Sequence, residues 1–312
     1  MTPTTPTTAA ARRQIAPSLE RVTVGFDFSV PSLTAVGWVR RHFAPRAECL
    51  IVHALDVPQP PRFLRAAFPA REEVLKSARE GAAARLERIR RAHDWGDVRL
   101  RVREGRPEDV ISEEARAAGA DLVIVGEHAR PRGIWESPGS TAEALVRGAP
   151  VPVLLARNPP DHAPERILVA VDDSDHARLA LQWTRLLAER FGSSVLAFHV
   201  FRPVYIALAK AVSGIEASAG LEQEQVRQSE RWLDEFVREA GFQADDLSKR
   251  VEPGDPASTL VAAQRGGSFD LVVIGSRGAG GAGRMLLGSV ANGVLRGASC
   301  PVLVARDHNE PG

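Results

Sequence analysis

Gly275, Gly278 and Gly288, with Ser289 directly after the last, stand in the spacing Gly-x2-Gly-x9-Gly-Ser. Glycines at such points let the main chain turn with positive φ and approach a ligand closely. Successive exposed backbone N–H groups form a concave anion nest. A helix beginning at Gly288-Ser289 turns its free N–H groups and its dipole toward a phosphate, with Ser289 as N-cap or as phosphate donor. Arg277 and Arg284 add positive charge within the same stretch. The chemistry predicted here is phosphate binding. Gly278, Gly280 and Gly283 also spell G-x-G-x-x-G. A dinucleotide fingerprint, however, follows a first strand, opens a helix at once and finds an acid about 20 residues on. Here the helical pattern resumes only near Ser289, and Leu303 stands where the acid belongs. A Walker A loop is excluded because no Gly-Lys-Ser/Thr follows the glycines.

The elements that must position this loop emerge from an internal repeat. RVTVGFDFS at 21–29 aligns with RILVAVDDS at 166–174. Further on, GADLVIVGEHA at 119–129 aligns with SFDLVVIGSRG at 268–278, and VPVLLAR at 151–157 with CPVLVAR at 300–306. The offset grows from 145 to 149, so the second copy carries four more residues in its middle. Each copy alternates apolar β-branched runs with amphipathic stretches. In the second, strands are predicted at 167–171, 195–200, 247–252, 271–274 and 302–305, and helices at 175–190, 221–240, 256–265 and 289–296. Runs apolar on both faces, joined by helical crossovers, read as buried parallel strands. The fold class is therefore α/β, with two tandem doubly wound parallel five-stranded sheet domains. Residues 1–20 read as a disordered Thr/Pro tail, 21–157 as domain 1, 158–165 as a Pro-rich linker, 166–306 as domain 2 and 307–312 as a tail. Ligands of such sheets sit beyond the carboxyl ends of the strands, where the strand order switches. A loop after strand four of domain 2 lies at that end.

Bulk composition narrows the partners. Lys plus Arg number 40 against 39 Asp plus Glu, a balance that argues against a dedicated nucleic-acid binder. Two cysteines, Cys49 and Cys300, fit neither a disulfide framework nor a zinc site and suit a reducing cytoplasm. No apolar run approaches the ~18 residues of a membrane span.

The glycine spacing, together with VAVDDS, LAFHV, DLVVIGSRG and GSVANGVLRGASCPVLVAR in order, resembles the ATP-binding members of the universal stress protein family, here in tandem. The resemblance covers nearly all of both copies. It implies a universal stress protein fold and ATP as cofactor. It also implies adenosine contacts from Asp172 and Val200, and ribose and phosphate contacts from Gly275, Ser276, Arg277, Gly278, Gly288, Ser289 and Val290. Asp172 competes for helix capping with Asp173, Ser174 and Asp175, and His199 reads as a packed strand residue. Mg2+ bridging phosphate oxygens is compatible with the site, although the loop carries no acid to hold it. The resemblance further implies that the terminal runs near 151–156 and 302–305 pair, joining the copies as a pseudo-dimer. The same edges are candidates for homo-oligomer formation.

Copy one keeps the frame of the site. Gly126, Gly139 and Ser140 align with Gly275, Gly288 and Ser289, and Asp27 and Ala54 persist, but Ala129 replaces Gly278 and Trp135 replaces Arg284. A left-handed turn at Ala129 would cost about 1 kcal/mol over glycine, about a fivefold loss of affinity. Glu127 and Glu136 oppose a triphosphate, whereas Arg130 and Arg132 attract it. Copy one is thus expected to bind ATP weakly or not at all. Three roles fit the whole chain: a nucleotide-liganded stress or signalling protein acting on a protein partner, a slow ATPase, or a nucleotide-free scaffold. The first is favoured because no catalytic base is identifiable. The segments from Asp56 and from Phe201 are candidate lids or partner contacts, and equally read as variable loops.

Overall fold

Ten strands form one sheet, its inner strands largely apolar on both faces and covered by helices, its edge strands β3 (Arg99–Glu104, RLRVRE) and β8 (Ser248–Pro253, SKRVEP) charged and largely exposed. The computed structural model describes residues 17–43, 46–57, 71–127, 139–203, 218–243, 245–278 and 287–307. The first copy contributes β1 (Arg21–Gly25), α1 (Val30–His42), β2 (Glu48–Leu55), α2 (Arg71–Ala92), β3 (Arg99–Glu104), α3 (Pro107–Ala117), β4 (Leu122–Gly126), α4 (Ser140–Gly148) and β5 (Val153–Ala156). The second contributes β6 (Arg166–Ala170), α5 (Asp175–Phe191), β7 (Ser194–Phe201), α6 (Ser218–Glu239), β8 (Ser248–Pro253), α7 (Pro256–Gly267), β9 (Leu271–Gly275), α8 (Ser289–Gly297) and β10 (Val302–Ala305). Every strand and helix predicted for copy two is present, with ends shifted by at most three residues. The candidate lid segments fall largely outside the described residues.

The strand order is β3-β2-β1-β4-β5-β10-β9-β6-β7-β8. Each half is parallel, and its order reverses between β1 and β4 or between β6 and β9. The halves meet through antiparallel pairing of β5 with β10, with Val153 opposite Val304 and Leu155 opposite Val302. The predicted intramolecular pairing is therefore present. It also corrects the expectation of a homo-oligomer through the terminal strands: β5 and β10 lie in the middle of the sheet, and its free edges are β3 and β8.

Two apolar cores, one on each sheet face, run through both copies. One joins Val24, Trp38 and Leu154 with Val169, Trp183 and Leu303, and the other joins Val123 and Leu155 with Phe198 and Val302. The linker is strapped down: Trp38 Nε1 donates to His162 O at 3.1 Å and Ser193 Oγ to Pro164 O at 2.5 Å. Ser18–Glu20, assigned to the tail from composition, belong to the fold. Leu19 is buried, while Ser18 Oγ and the Glu20 and Arg21 amides donate to the Asp121 carboxylate at 2.5–2.8 Å. Asp270 holds the Glu165 and Arg166 amides in the same way at 2.9 Å, fastening the entrance of β6 to β9.

Helix starts set the direction of the site. Ser174 caps α5, its Oγ accepting from Ala177 N at 3.1 Å, and Gly192 ends that helix in the left-handed conformation at φ 72°. Asp255 caps α7 through Ser258 N, with Pro256 at the first helical position.

Candidate functional site

At the switch point of the second copy, β6, β7, β9 and the starts of α7 and α8 enclose a cavity of about 460 Å3. Eight of the nine residues predicted for the site line it: Asp172, Val200, Gly275, Arg277, Gly278, Gly288, Ser289 and Val290. Ser276 does not. It is buried, and its hydroxyl has no hydrogen-bond partner among the described residues. What Ser276 supplies is main chain: its N–H donates to Ala305 O and its carbonyl accepts from Gly288 N, both at 2.9 Å. Those bonds close the base of the glycine loop and bring Gly288 against Gly278. Arg284 and the middle glycines lie outside the described residues.

The glycines are required for a different reason from the one the sequence suggested. Gly275, Gly278 and Gly288 do not take positive φ, and Gly288 is extended at φ −58°, ψ 149°. Close approach is what excludes side chains. A Cβ on Gly275 would lie 2.7–3.0 Å from His176 Cβ, C and O in the first turn of α5, and one on Gly278 would lie 2.5 Å from Asp172 Oδ2. A left-handed turn therefore cannot be the penalty at the position that Ala129 matches, and Ala129 itself lies outside the described residues.

The cap reading is corrected as well. Gly288 is the N-cap of α8, without a side-chain capping bond, and Ser289 is the first helical residue. No acid stands in the first turn, so the helix start presents backbone N–H groups and the Ser289 hydroxyl to the cavity. Asp172 is not the cap of α5 either. Its Oδ1 accepts from Ser174 Oγ at 2.5 Å, which orients the carboxylate while Oδ2 faces Gly278. His199 is a packing residue, as read: Nδ1 is 2.8 Å from Val171 O and the ring lies 4.8 Å from Trp232.

Sequence reasoning missed Arg202, which also lines the cavity and donates to Asp255 Oδ2 at 2.7 Å. The Ser258 amide, and then Arg202, hold the Asp255 carboxyl below its ordinary range. The signal was available, since Arg202 lies just past the end of β7, two residues beyond Val200 and so on the same side of the extended chain.

The first copy encloses a smaller cavity of about 280 Å3, lined among others by Asp27, Ala54, Gly126, Gly139 and Ser140. Gly126 again presses on a helix start, with a virtual Cβ 2.6–2.7 Å from Pro31 C, Pro31 O and Ser32 N. The charges differ. Among the described residues the second cavity is lined by Arg202, Arg277 and Asp172, the first by Asp27 alone. Glu127, expected to repel a triphosphate, does not face the cavity: it holds buried Arg157 in a two-pronged ion pair. Phe28 takes the left-handed conformation at φ 63°, its ring 4.4 Å from His53 and under Arg85. Burial pushes the His53 pKa below its ordinary value, and Nδ1 meets Phe26 O at 2.8 Å.

Two order-reversing parallel half-sheets, each with a glycine-lined cleft at its switch point, define a tandem doubly wound α/β protein. The chain belongs to the universal stress protein family, whose model matches residues 18–157 and 164–306. A universal stress protein of Mycobacterium tuberculosis is 29% identical over 311 residues, covering 92% of this chain and 96% of that one. Another from the same organism is 34% identical over 200 residues, a match spanning 60% of this chain and only 62% of the relative. The crystal structure of a universal stress protein from Archaeoglobus fulgidus shares the fold at 18% identity, with a TM-score of 0.65 over 92% of this chain and 98% of its own. Among the described residues, no helix is long and apolar enough to cross a membrane.

Proposed function

We propose that the chain binds ATP in its C-terminal copy and works as a nucleotide-liganded stress-response or signalling protein in the cytoplasm, acting on a protein partner. The observation that carries this reading is the second cavity. Asp172, Arg277 and two closely approached glycines converge there on a helix start whose cap, Gly288, offers no side-chain bond. The Asp172 carboxylate is placed to accept from ribose hydroxyls or an exocyclic amine, and Val200 lies beside it on β7. The α8 amides, Ser289 and Arg277 would hold phosphates. Mg2+ would accompany the nucleotide through the phosphate oxygens. Among the described residues, no group of three or more His, Cys, Asp or Glu could hold a metal ion.

A nucleotide held in the cavity would change the surface offered to the partner. Hydrolysis needs a base that positions water as well as charge stabilisation. Asp172 is tied to Ser174, and His199 Nδ1 to Val171 O. We therefore expect ATP to be retained unhydrolysed. The test is mass spectrometry of nucleotide carried through purification, followed by incubation with radiolabelled ATP for several hours. Intact ATP supports this reading, whereas repeated turnovers abolished by Gly278→Ala would establish the slow ATPase in its place.

A further inference from the structure

We propose that Arg157, the last residue of the N-terminal copy, is a positioning residue for the nucleotide site of the C-terminal copy; this rests on the reading of that site given above. Arg157 follows β5 directly, and antiparallel pairing with β10 carries it under the second copy. There its side chain is only 4% exposed. Nη2 donates to Leu295 O at 2.7 Å and Nη1 to Ala298 O, both at the carboxyl end of α8. Nε donates to Glu127 Oε2 at 2.6 Å, and Nη2 also reaches Glu127 Oε1. One guanidinium thus joins the start of the first copy's loop to the far end of the second copy's phosphate-facing helix. Arg265 takes the Gly297 carbonyl from within the second copy at 2.8 Å, and Asn158 Nδ2 adds a bond to Ser299 O at 3.4 Å.

The physical consequence concerns the opposite end of α8. A nine-residue helix is about 13 Å long and behaves as a short rod, so fixing its carbonyl end fixes the direction of its N-terminal amides. A cation at the carboxyl end also complements the helix dipole. The planar fork serves one carboxylate and two carbonyls together, which a lysine ammonium on a flexible stem does less well. On the other side of the seam, Arg306, which matches Arg157 in the repeat, donates from Nη1 to Val146 O of α4 at 3.4 Å. The residue matching Glu127 in the second copy is Ser276, whose hydroxyl has no partner among the described residues. Glu127, read from sequence as hostile to phosphate in its own copy, acts instead as the anchor of this brace.

The test uses the full chain with Arg157→Met and, because that change strands Glu127, also the double variant Glu127→Leu/Arg157→Met, which replaces the buried pair by apolar groups and so protects the fold. Amide hydrogen exchange is followed across α8 and the β6–β10 strands without nucleotide, and ATP affinity is measured by calorimetry. The expected result in both variants is faster exchange confined to α8 and ATP binding about tenfold weaker, within the usual range of coupling between sites. Either variant showing wild-type exchange in α8 overturns the proposal. So does α8 loosening with ATP affinity unchanged. Loosened α8 in the variants, with no ATP taken up even by the unaltered chain, would support the brace and refute the nucleotide reading, so the two failures are distinguishable.

Discussion

Gly278→Ala is expected to weaken ATP binding about tenfold or more, equivalent to ~1.4 kcal/mol, with little change in the unfolding transition. The added Cβ would sit 2.5 Å from Asp172 Oδ2. That oxygen belongs to a short side chain whose other oxygen is tied to Ser174, so the carboxylate must swing out of the cavity to make room. Two functions are lost at one step: the acceptor assigned to the ribose or base, and the close main-chain approach assigned to phosphate. The fold tolerates the change because the clash is with a carboxylate at the edge of a cavity and not with a packed element. The measurement is calorimetric titration of ATP alongside urea unfolding. Unchanged affinity would show that the Gly278–Asp172 contact has no part in binding.

Gly275→Ala carries the opposite balance. Its Cβ would meet His176 Cβ, C and O at 2.7–3.0 Å, and main-chain atoms in the first turn of α5 cannot step aside as a carboxylate can. The expected cost is about 2 kcal/mol of folding stability, in the range of overpacked cores, together with loss of ATP binding as α5 and the loop separate. Gly126→Ala is the matched control. It presses equally on Pro31 and Ser32 and is expected to cost similar stability. Because it lies at the other switch point, ATP affinity should stay near that of the unaltered chain. Equal loss of ATP affinity in both variants would mean that the effect is general destabilisation.

Most of the fold was legible in the sequence because its signals are local and occur twice. The apolar runs of β6, β7, β9 and β10 and the amphipathic stretches between them reappear as elements within a few residues. What eluded sequence reading depends on residues far apart in the chain. Glu127 looks like a free negative charge until Arg157, thirty residues on, is folded against it. Gly275 and Gly278 look like turn glycines, yet their partners are His176 and Asp172, which are brought near by parallel pairing of β6 with β9. Ser289 has the composition of an N-cap, but the first helical bond, from Asn292 N, is accepted by Gly288 O, which puts the cap one residue earlier. Asp121 and Asp270 were open to discovery, because an acid recurs at the same repeat position just before β4 and β9. Each seizes two backbone amides at the entrance of the neighbouring strand, a role that the strand pattern alone does not display.

The central expectation is one competent ATP site per chain. Calorimetric titration of the nucleotide-stripped full chain with ATP tests this most directly, with Gly278→Ala run beside it. The predicted result is a stoichiometry of one ATP per chain, with the binding isotherm collapsing in Gly278→Ala. Two equivalent sites per chain, or a single site indifferent to Gly278→Ala, would contradict it.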